Sequence, residues 1–250
     1  MKTALRKILR NFGIDIVRYS PVPAEGHISI DSHRKNSSFL KLLHLYEIDL
    51  VLDVGANNGQ FASKLFKIGY VGKIVSFEPL SSAYEKLLEA SRLHPNWEIA
   101  PRCAIGDKNT EIEINISNNS ESSSLLPILS AHVDAAPSSV YIGSEKVKML
   151  KLSEAADSYM KKSQATFLKI DVQGFEDKVL EGAAEILTNI KGMQLELSFI
   201  PLYEGGILFE EMCNKLKKMG FEIYYISPGF SDPRTGRMLQ ADRIFFRNKL

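Results

Sequence analysis

Residues 51–60 read Val51-Leu52-Asp53-Val54-Gly55-Ala56-Asn57-Asn58-Gly59-Gln60 and carry the clearest structural signal in the chain. The apolar run that ends at Val54 predicts a buried strand, and the apolar residues that follow Gln60 recur at helical spacing. Between them, Gly55 can take backbone angles that a side chain would forbid, and Gly59 lets the turn approach a ligand closely. Strand, glycine turn and helix N-terminus together predict a nucleotide-type binding site.

Two carboxylates mark the ends of the first two predicted strands. Asp53 places a negative charge where a pyrophosphate-binding loop would not want one, so the expected ligand is cationic or rich in hydroxyls. Glu78 follows about 25 residues later, near the ~20-residue spacing of a carboxylate that holds a ribose. We therefore expect Glu78 to accept hydrogen bonds from both ribose hydroxyls. In the alternative interpretation, Asp53 caps the turn and Glu78 is a solvated strand end.

Three ligands compete for such a unit: a nucleoside triphosphate, a nicotinamide dinucleotide and S-adenosylmethionine. No G-x-x-x-x-G-K-[ST] run occurs, so the lysine that would pair with a triphosphate is missing. The turn reads G-A-N-N-G rather than G-x-G-x-x-G, and Asp53 would repel the pyrophosphate of a dinucleotide. S-adenosylmethionine fits both observations, because it has no phosphate, carries an ammonium and a sulfonium, and offers its ribose hydroxyls to Glu78.

Four motifs occur in the order of one known family. They are Asp53-Val54-Gly55-Ala56-Asn57-Asn58-Gly59, Phe77-Glu78-Pro79, Leu168-Lys169-Ile170-Asp171-Val172-Gln173-Gly174-Phe175-Glu176 and Leu239-Gln240-Ala241-Asp242-Arg243-Ile244-Phe245-Phe246. From about residue 50 to the C-terminus, the chain therefore resembles the FkbM family of S-adenosylmethionine-dependent methyltransferases.

The resemblance implies a fold, a cofactor and a class of reaction. The fold would be α/β, a class I methyltransferase with a doubly wound, seven-stranded, mostly parallel sheet and one antiparallel edge strand; the strand and helix alternation after residue 50 independently predicts such a parallel sheet. The implied reaction is O-methylation of a hydroxyl on a sugar, glycan or polyketide-type small molecule. One departure is Gln173, where the family usually shows glutamate. The matched motifs imply these cofactor-binding residues: Asp53, Gly55, Asn57, Gly59, Glu78 and Pro79.

Composition limits the other classes of function. The 250 residues, 44% of them hydrophobic, can bury one sizeable α/β core. A net charge of +1 gives no electrostatic footprint for nucleic acid, so we expect a small-molecule or glycan acceptor instead. Cys103 and Cys213 are too few for a disulfide framework or a zinc site, which indicates a reducing compartment. With no run of membrane-spanning length and no signal-peptide core, we expect a cytoplasmic protein without stable membrane insertion.

The expected organisation is an N-terminal helical and linker segment over residues 1–48 and a methyltransferase domain over residues 49–250. Within the first segment we predict a helix at 1–12 that packs or caps rather than lying on a membrane, a linker at 14–36 and a helix at 37–46. The domain would carry an irregular insertion at about 118–145, read as a lid or substrate wall. His132 in this insertion is a candidate base, although a solvated loop residue is favoured there. Oligomeric state is left open.

Further carboxylates are expected at the carboxyl ends of later strands, where ligands lie in open α/β sheets. Asp107 follows a strand predicted at 97–105 and is a candidate acceptor for an adenine amino group, with a turn aspartate as the alternative. Asp171 is the first choice for the base that takes the acceptor proton, and Glu196 is the second. In the alternative interpretations, Asp171 caps the next helix and Glu196 faces solvent.

Two questions of mechanism stay open at the level of sequence. Several carboxylates at one mouth can hold Mg²⁺, but no tight acidic pair occurs in the sequence, so a metal-free base is favoured and no metal ligand is assigned. The rival functions are a catalytically inactive S-adenosylmethionine-binding scaffold and a nicotinamide-dependent oxidoreductase.

Overall fold

The computed structural model describes residues 30–248, with side chains from residue 38. Its main feature is a seven-stranded sheet formed by residues of the unit that begins at Phe39. In spatial order its strands are β3 (Trp97–Ile99), β2 (Lys73–Phe77), β1 (Leu50–Val54), β7 (Thr166–Ile170), β8 (Ile190–Ser198), β10 (Gln240–Arg247) and β9 (Phe221–Pro228).

The sheet is mostly parallel, as the sequence predicts. Every neighbouring pair from β3 to β8 runs parallel, whereas β10 is antiparallel to both β8 and β9. The antiparallel strand therefore lies one place inside the edge, and the predicted hairpin of the last two strands is confirmed. Because the first five strands in spatial order share one direction, their carboxyl ends all open at the same side of the sheet.

Helices cover both faces of this sheet. The helices of the described residues are α1 (Ile30–Leu45), α2 (Gln60–Lys67), α3 (Ser81–Ser91), α4 (Ser130–Ala135), α5 (Leu152–Ala155), α6 (Asp157–Met160), α7 (Glu176–Gly182) and α8 (Phe209–Lys218). Alternating residues of β1 enter different cores: Leu52 packs with residues of α7 and α8, and Val51 packs with residues of α1 and α2. This division is the doubly wound arrangement that a parallel sheet buried on both faces requires. No helix within residues 30–248 combines the length and the apolar character that crossing a bilayer demands.

The prediction of one strand over 97–105 is wrong. The strand breaks after Ile99, and its second half, β4 (Ala104–Gly106), joins a separate three-stranded sheet with β6 (Tyr141–Lys151) and β5 (Thr110–Ser117). Pro101 lies at the break and has no N–H to give to a sheet ladder. The chain can therefore leave the main sheet at this point and start a second one.

The inserted segment is shorter and more regular than predicted. Strand β6 begins at Tyr141, so the connection between β5 and β6 covers residues 118–140 and contains α4 and a 3₁₀ turn at Pro137–Ser139. At the other end of the chain, α1 begins at Ile30, so the last seven residues of the predicted 14–36 linker are helical. The helix predicted at 1–12 lies outside the described residues.

Gly55 follows strand β1 and lies against the end of the neighbouring strand β7. Its φ is +74°, and a Cβ added there would lie 1.8 Å from the carbonyl oxygen of Asp171. Strands β1 and β7 pair directly, so the glycine turn and the start of the loop after β7 are pressed together. Only a residue without a side chain fits this contact, which places Asp171 beside the turn.

We expect Gly55→Ala to lower the free energy of unfolding by about 3 kcal/mol or more, because the added carbon meets backbone that cannot move aside cheaply. Gly205→Ala is the matched control: Gly205 has nearly the same φ, +73°, but nothing lies within 4 Å of the added carbon. That variant should lose only about 1 kcal/mol, from backbone strain alone. Equal losses in urea unfolding of the two variants would contradict the close contact.

Candidate active site

A cavity of about 500 Å³ opens where β1, β2, β7 and β8 end, and the connection between β5 and β6 forms one of its walls. Seven of the candidate site residues named from the sequence line it: Gly55, Asn57, Glu78, Pro79, His132, Asp171 and Glu196. Three others, Asp53, Gly59 and Asp107, are not among the residues that line it. The strand ends therefore bring most of the predicted site together, with Glu78 at one end and Asp171 and Glu196 at the other.

Glu78 is fixed at the cavity wall by two backbone donors. The N–H of Asn57 donates to its Oε2 at 2.7 Å, and the N–H of Leu80 donates to its Oε1 at 2.9 Å. Asn57 is in the left-handed region, φ +47°, which turns its N–H toward the carboxylate. Only 4% of Glu78 is exposed, and this burial raises its pKa to about 7 against the opposing effect of the two donors.

An apolar surface continues from Glu78. Phe77 lies on the same strand, and the lining beyond it comes from Cys103, Ala104, Ile105 and Ile114. Each carboxylate oxygen of Glu78 keeps a second lone pair for a ligand, since only one backbone donor is seen for each. This end of the cavity therefore suits a molecule with one flat apolar group and an adjacent pair of hydroxyls.

Asp53 does not face this space. It is fully buried, accepts a hydrogen bond from Ser76 Oγ at 3.1 Å, and lies 3.1 Å from the ammonium of Lys169. The same ammonium donates to the carbonyl oxygen of Gly55 at 2.7 Å. Burial lowers the pKa of Lys169, but the charges of Asp53 and Asp171 outweigh it and raise the pKa overall. The negative charge of Asp53 thus compensates an internal cation that supports the glycine turn, and Lys169 is the partner that lines the cavity.

Replacing Lys169 with methionine should lower the free energy of unfolding by about 3 kcal/mol, because Asp53 would stay buried without its partner. Lys161→Met is the control: it removes the ion pair of Lys161 with Asp157, whose side chains are 69% and 57% exposed, and should change the stability by less than about 1 kcal/mol. Chemical unfolding measures both variants. Equal losses of stability in the two variants would mean that the buried ion pair contributes no more to stability than the exposed one.

Gly59 and Asp107, which the sequence predicts to bind the cofactor, contact other residues of the protein. Gly59 precedes α2 with φ +84°, and a Cβ there would lie 2.5 Å from the ring of Trp97, so this glycine makes room for packing rather than for a ligand. Asp107 pairs with Lys178 at 3.7 Å. It follows β4, which belongs to the second sheet, and that change of sheet carries the aspartate away from the cavity.

At the other end of the cavity, Asp171 and Glu196 are joined by a side chain that the sequence marked only as a departure. The Nε2 of Gln173 donates to Asp171 Oδ1 and to Glu196 Oε2, both at 2.8 Å. Burial and the charges of Asp171 and Asp242 raise the pKa of Glu196 well above its ordinary value. Glu196 lies in the cavity wall beside Gln173 and does not point into solvent.

The connection between β5 and β6 supplies the remaining wall. His132 is 3% exposed and lies with its Nε2 3.4 Å from Ser122 Oγ, while its Nδ1 has no hydrogen-bond partner among the described residues. Burial lowers the pKa of His132 to about 4, so the ring is neutral at neutral pH. The hydroxyl of Tyr203 lies 2.7 Å from Gln173 Oε1. No local sequence pattern predicts this contact or the burial of His132, because both depend on segments that are far apart in the chain.

The mostly parallel sheet of this strand order, with a cavity at the carboxyl ends of its strands, is the class I methyltransferase fold. The protein-family model described as the methyltransferase FkbM domain matches residues 53–223, well over half of the chain. The protein therefore belongs to the FkbM methyltransferase family, whose membership implies S-adenosylmethionine as the methyl donor.

Solved structures of low identity resemble the chain. A methyltransferase FkbM from Methylobacillus flagellatus KT is 13% identical, with 80% of this chain and 44% of that one covered and a TM-score of 0.47. TehB from Haemophilus influenzae is 10% identical over 85% of this chain and 62% of that one, with a TM-score of 0.44. An rRNA methylase from Streptococcus thermophilus is 12% identical, with 90% of this chain and 100% of that one covered and a TM-score of 0.44. No curated protein sequence matches the chain.

Proposed function

We propose that the protein transfers the methyl group of S-adenosylmethionine to a hydroxyl of a sugar, glycan or polyketide-type small molecule. The observation that carries this proposal is the continuity of one cavity between the doubly anchored carboxylate of Glu78 and the pair of Asp171 and Glu196. The catalytic domain would be residues 49–250.

The residues present fit the donor. Glu78 offers two fixed acceptor oxygens to the two ribose hydroxyls, and the apolar surface at Ile105 offers a place for an adenine ring. Beyond Gly55, the cavity is lined by Gln60 and Lys169, which suit the charged amino-acid end. The ammonium of Lys169 is complementary to a carboxylate, so in this proposal Asp53 acts only through the lysine that it neutralises.

When bound, S-adenosylmethionine supplies an electrophilic methyl group on a sulfonium. The protein has to align the acceptor oxygen with that group and keep water out. Asp171 would accept the hydroxyl proton while the oxygen–carbon bond forms and the carbon–sulfur bond breaks, because a neutral alcohol is a poor nucleophile. Glu196 is the second candidate, and burial together with the charges of Asp171 and Asp242 raises its pKa.

The lining supports a neutral, hydroxyl-rich acceptor rather than a nucleic acid. Around the acceptor end, Gln194, Gln240 and Asp242 offer donors and acceptors beside the ring of Phe230. Three carboxylates, Asp171, Glu196 and Asp242, line this end and would repel a phosphate backbone. The two free cysteines are compatible with the reducing, cytoplasmic setting that we propose.

The test is binding followed by turnover. Calorimetric titration should show that S-adenosylmethionine binds and that NAD does not. Incubation with S-adenosylmethionine and a carbohydrate-rich extract of the source cells should then release S-adenosylhomocysteine. Binding without product on any extract would favour an inactive scaffold, and binding of NAD alone would favour an oxidoreductase; either result would overturn the proposal.

A further inference from the structure

The side-chain amide of Gln173 makes three polar contacts, and its backbone carbonyl makes a fourth. Its Nε2 lies 2.8 Å from one oxygen of Asp171 and 2.8 Å from one oxygen of Glu196. Its Oε1 accepts from the Tyr203 hydroxyl at 2.7 Å, and its backbone carbonyl accepts from Ser124 Oγ at 2.7 Å. Since the Tyr203 hydroxyl donates to one side of the amide and two carboxylate oxygens accept from the other, these partners fix which side of the amide is oxygen.

We propose that the Gln173 amide is a positioning group that holds Asp171 and Glu196 together as a metal-free pair, in the place where a divalent cation would otherwise bridge them. A cation that binds two carboxylates sits between one oxygen of each, and Nε2 occupies that position with its two N–H groups. The inference extends the proposed function, in which Asp171 takes the acceptor proton.

The backbone around Gln173 is held rigidly enough for this role. Gln173 is in the left-handed region, φ +55°, and Gly174 follows with φ +98°. The carboxylate of Glu176 accepts the N–H of Val172 at 3.2 Å and the N–H of Gly174 at 3.1 Å. The loop after β7 is thus closed on itself by a side chain of α7. The amide therefore points at the two carboxylates without depending on a bound ligand.

The charges around the pair explain why an amide is needed. Lys169 lies 3.8 Å from Asp171 Oδ2, whereas Gln173 donates to Oδ1 of the same carboxylate. On the Glu196 side the neighbouring charges raise its pKa, and Gln173 is the group that opposes them. A glutamate at position 173 would add a further carboxylate beside the pair and remove both donated hydrogen bonds. The charged and titratable groups that face the pair are Lys169, Glu176, Tyr203 and Asp242.

Carboxyl titration of the full chain tests the positioning role without any ligand. In protein labelled with ¹³C at Asp and Glu carboxyls, assigned with Asp171→Asn and Glu196→Gln, we expect Gln173→Met to raise the apparent pKa values of the pair by about one unit, a tenfold change in proton affinity. Gln173→Asn keeps an amide in a side chain too short to reach both carboxylates, and should give the same direction if the methionine variant fails to fold. The matched control is Gln194→Met, which loses a 3.2 Å contact with Asp242 and should shift the pair less. Unchanged titration in a folded Gln173 variant would overturn the proposal.

Metal binding tests the second part of the proposal, that the Gln173 amide takes the place of a cation. With Mn²⁺ as the probe, electron paramagnetic resonance should show that Gln173→Glu binds the ion at least tenfold more tightly than the wild-type protein, because a third carboxylate then replaces the amide. Equal affinity of the two proteins would overturn the inference that the amide takes the place of a cation. Neither measurement uses a methyl donor, so failure of S-adenosylmethionine to bind would sink the proposed function and leave these results standing.

Discussion

Replacing Glu78 with alanine is expected to weaken the binding of S-adenosylmethionine by about 10²- to 10⁴-fold. The variant removes the acceptors for both ribose hydroxyls, and hydrogen bonds to a charged group contribute about 1.5–3 kcal/mol each. It also leaves the N–H groups of Asn57 and Leu80 without their partner. Calorimetric titration measures the loss, with far-UV circular dichroism to verify that the variant is folded.

The control for this experiment is Glu98→Gln, which alters a 50% exposed carboxylate on the neighbouring strand β3, outside the cavity. It should bind the donor as the wild-type protein does. If Glu78→Ala also binds unchanged, Glu78 is not the ribose anchor, and the assignment of the donor end fails.

The same carboxylate predicts a pH dependence of donor binding. Burial sets the pKa of Glu78 at about 7 in the free protein, and the ionised form is the one that accepts from both hydroxyls. Affinity should therefore fall as the pH is lowered through 7, approaching about tenfold per pH unit below it. Titrations between pH 5.5 and pH 8.5 would show this, and a flat profile would mean that Glu78 stays ionised or takes no part.

Replacing Asp171 with asparagine should lower turnover by about 10²- to 10⁴-fold while the affinity for S-adenosylmethionine stays nearly unchanged. Asparagine keeps the size of the side chain but cannot take the acceptor proton. Turnover is read as S-adenosylhomocysteine formed in the extract assay, and affinity by calorimetry. The matched control is Asp157→Asn, an exposed aspartate on α6 that should leave both quantities as they are.

Glu196→Gln separates the two candidate bases. Glu196→Gln keeps the size of the side chain but cannot take a proton, so with Asp171 as the base it should reduce turnover by less than about tenfold. A larger loss for Glu196→Gln than for Asp171→Asn would exchange their roles. Loss of donor binding in Asp171→Asn, with turnover per bound donor unchanged, would move Asp171 into the cofactor site.

The sequence predicts the parallel sheet well because its signals are local. Apolar runs such as the one ending at Val54, and the glycine turn after it, need no knowledge of distant residues. The break at Pro101 shows the limit, since the apolar pattern continues through residue 105 while the backbone leaves the sheet. Proline removes one ladder hydrogen bond, and the second sheet offers new pairing partners that no local pattern reveals.

The candidate site is predicted in part for the same reason. Glu78, Asp171 and Glu196 reach the cavity because strand ends converge in any fold of this kind. The surroundings of Asp53 cannot be read in advance, because its compensating cation, Lys169, comes from a strand more than a hundred residues later. The bridge at Gln173 likewise depends on Tyr203 and on two carboxylates, which only tertiary packing brings within hydrogen-bond distance.

The position of β10 has a consequence for how the protein is made on the ribosome. This strand is synthesised after β9 but lies between β8 and β9, so β9 has no place in the sheet until its successor emerges. Asp242 of β10 pairs in register with Glu196 of β8, and both border the acceptor end of the cavity. A nascent chain halted before residue 240 carries the residues of the proposed donor end but not this wall, so the proposed acceptor end of the cavity is completed last.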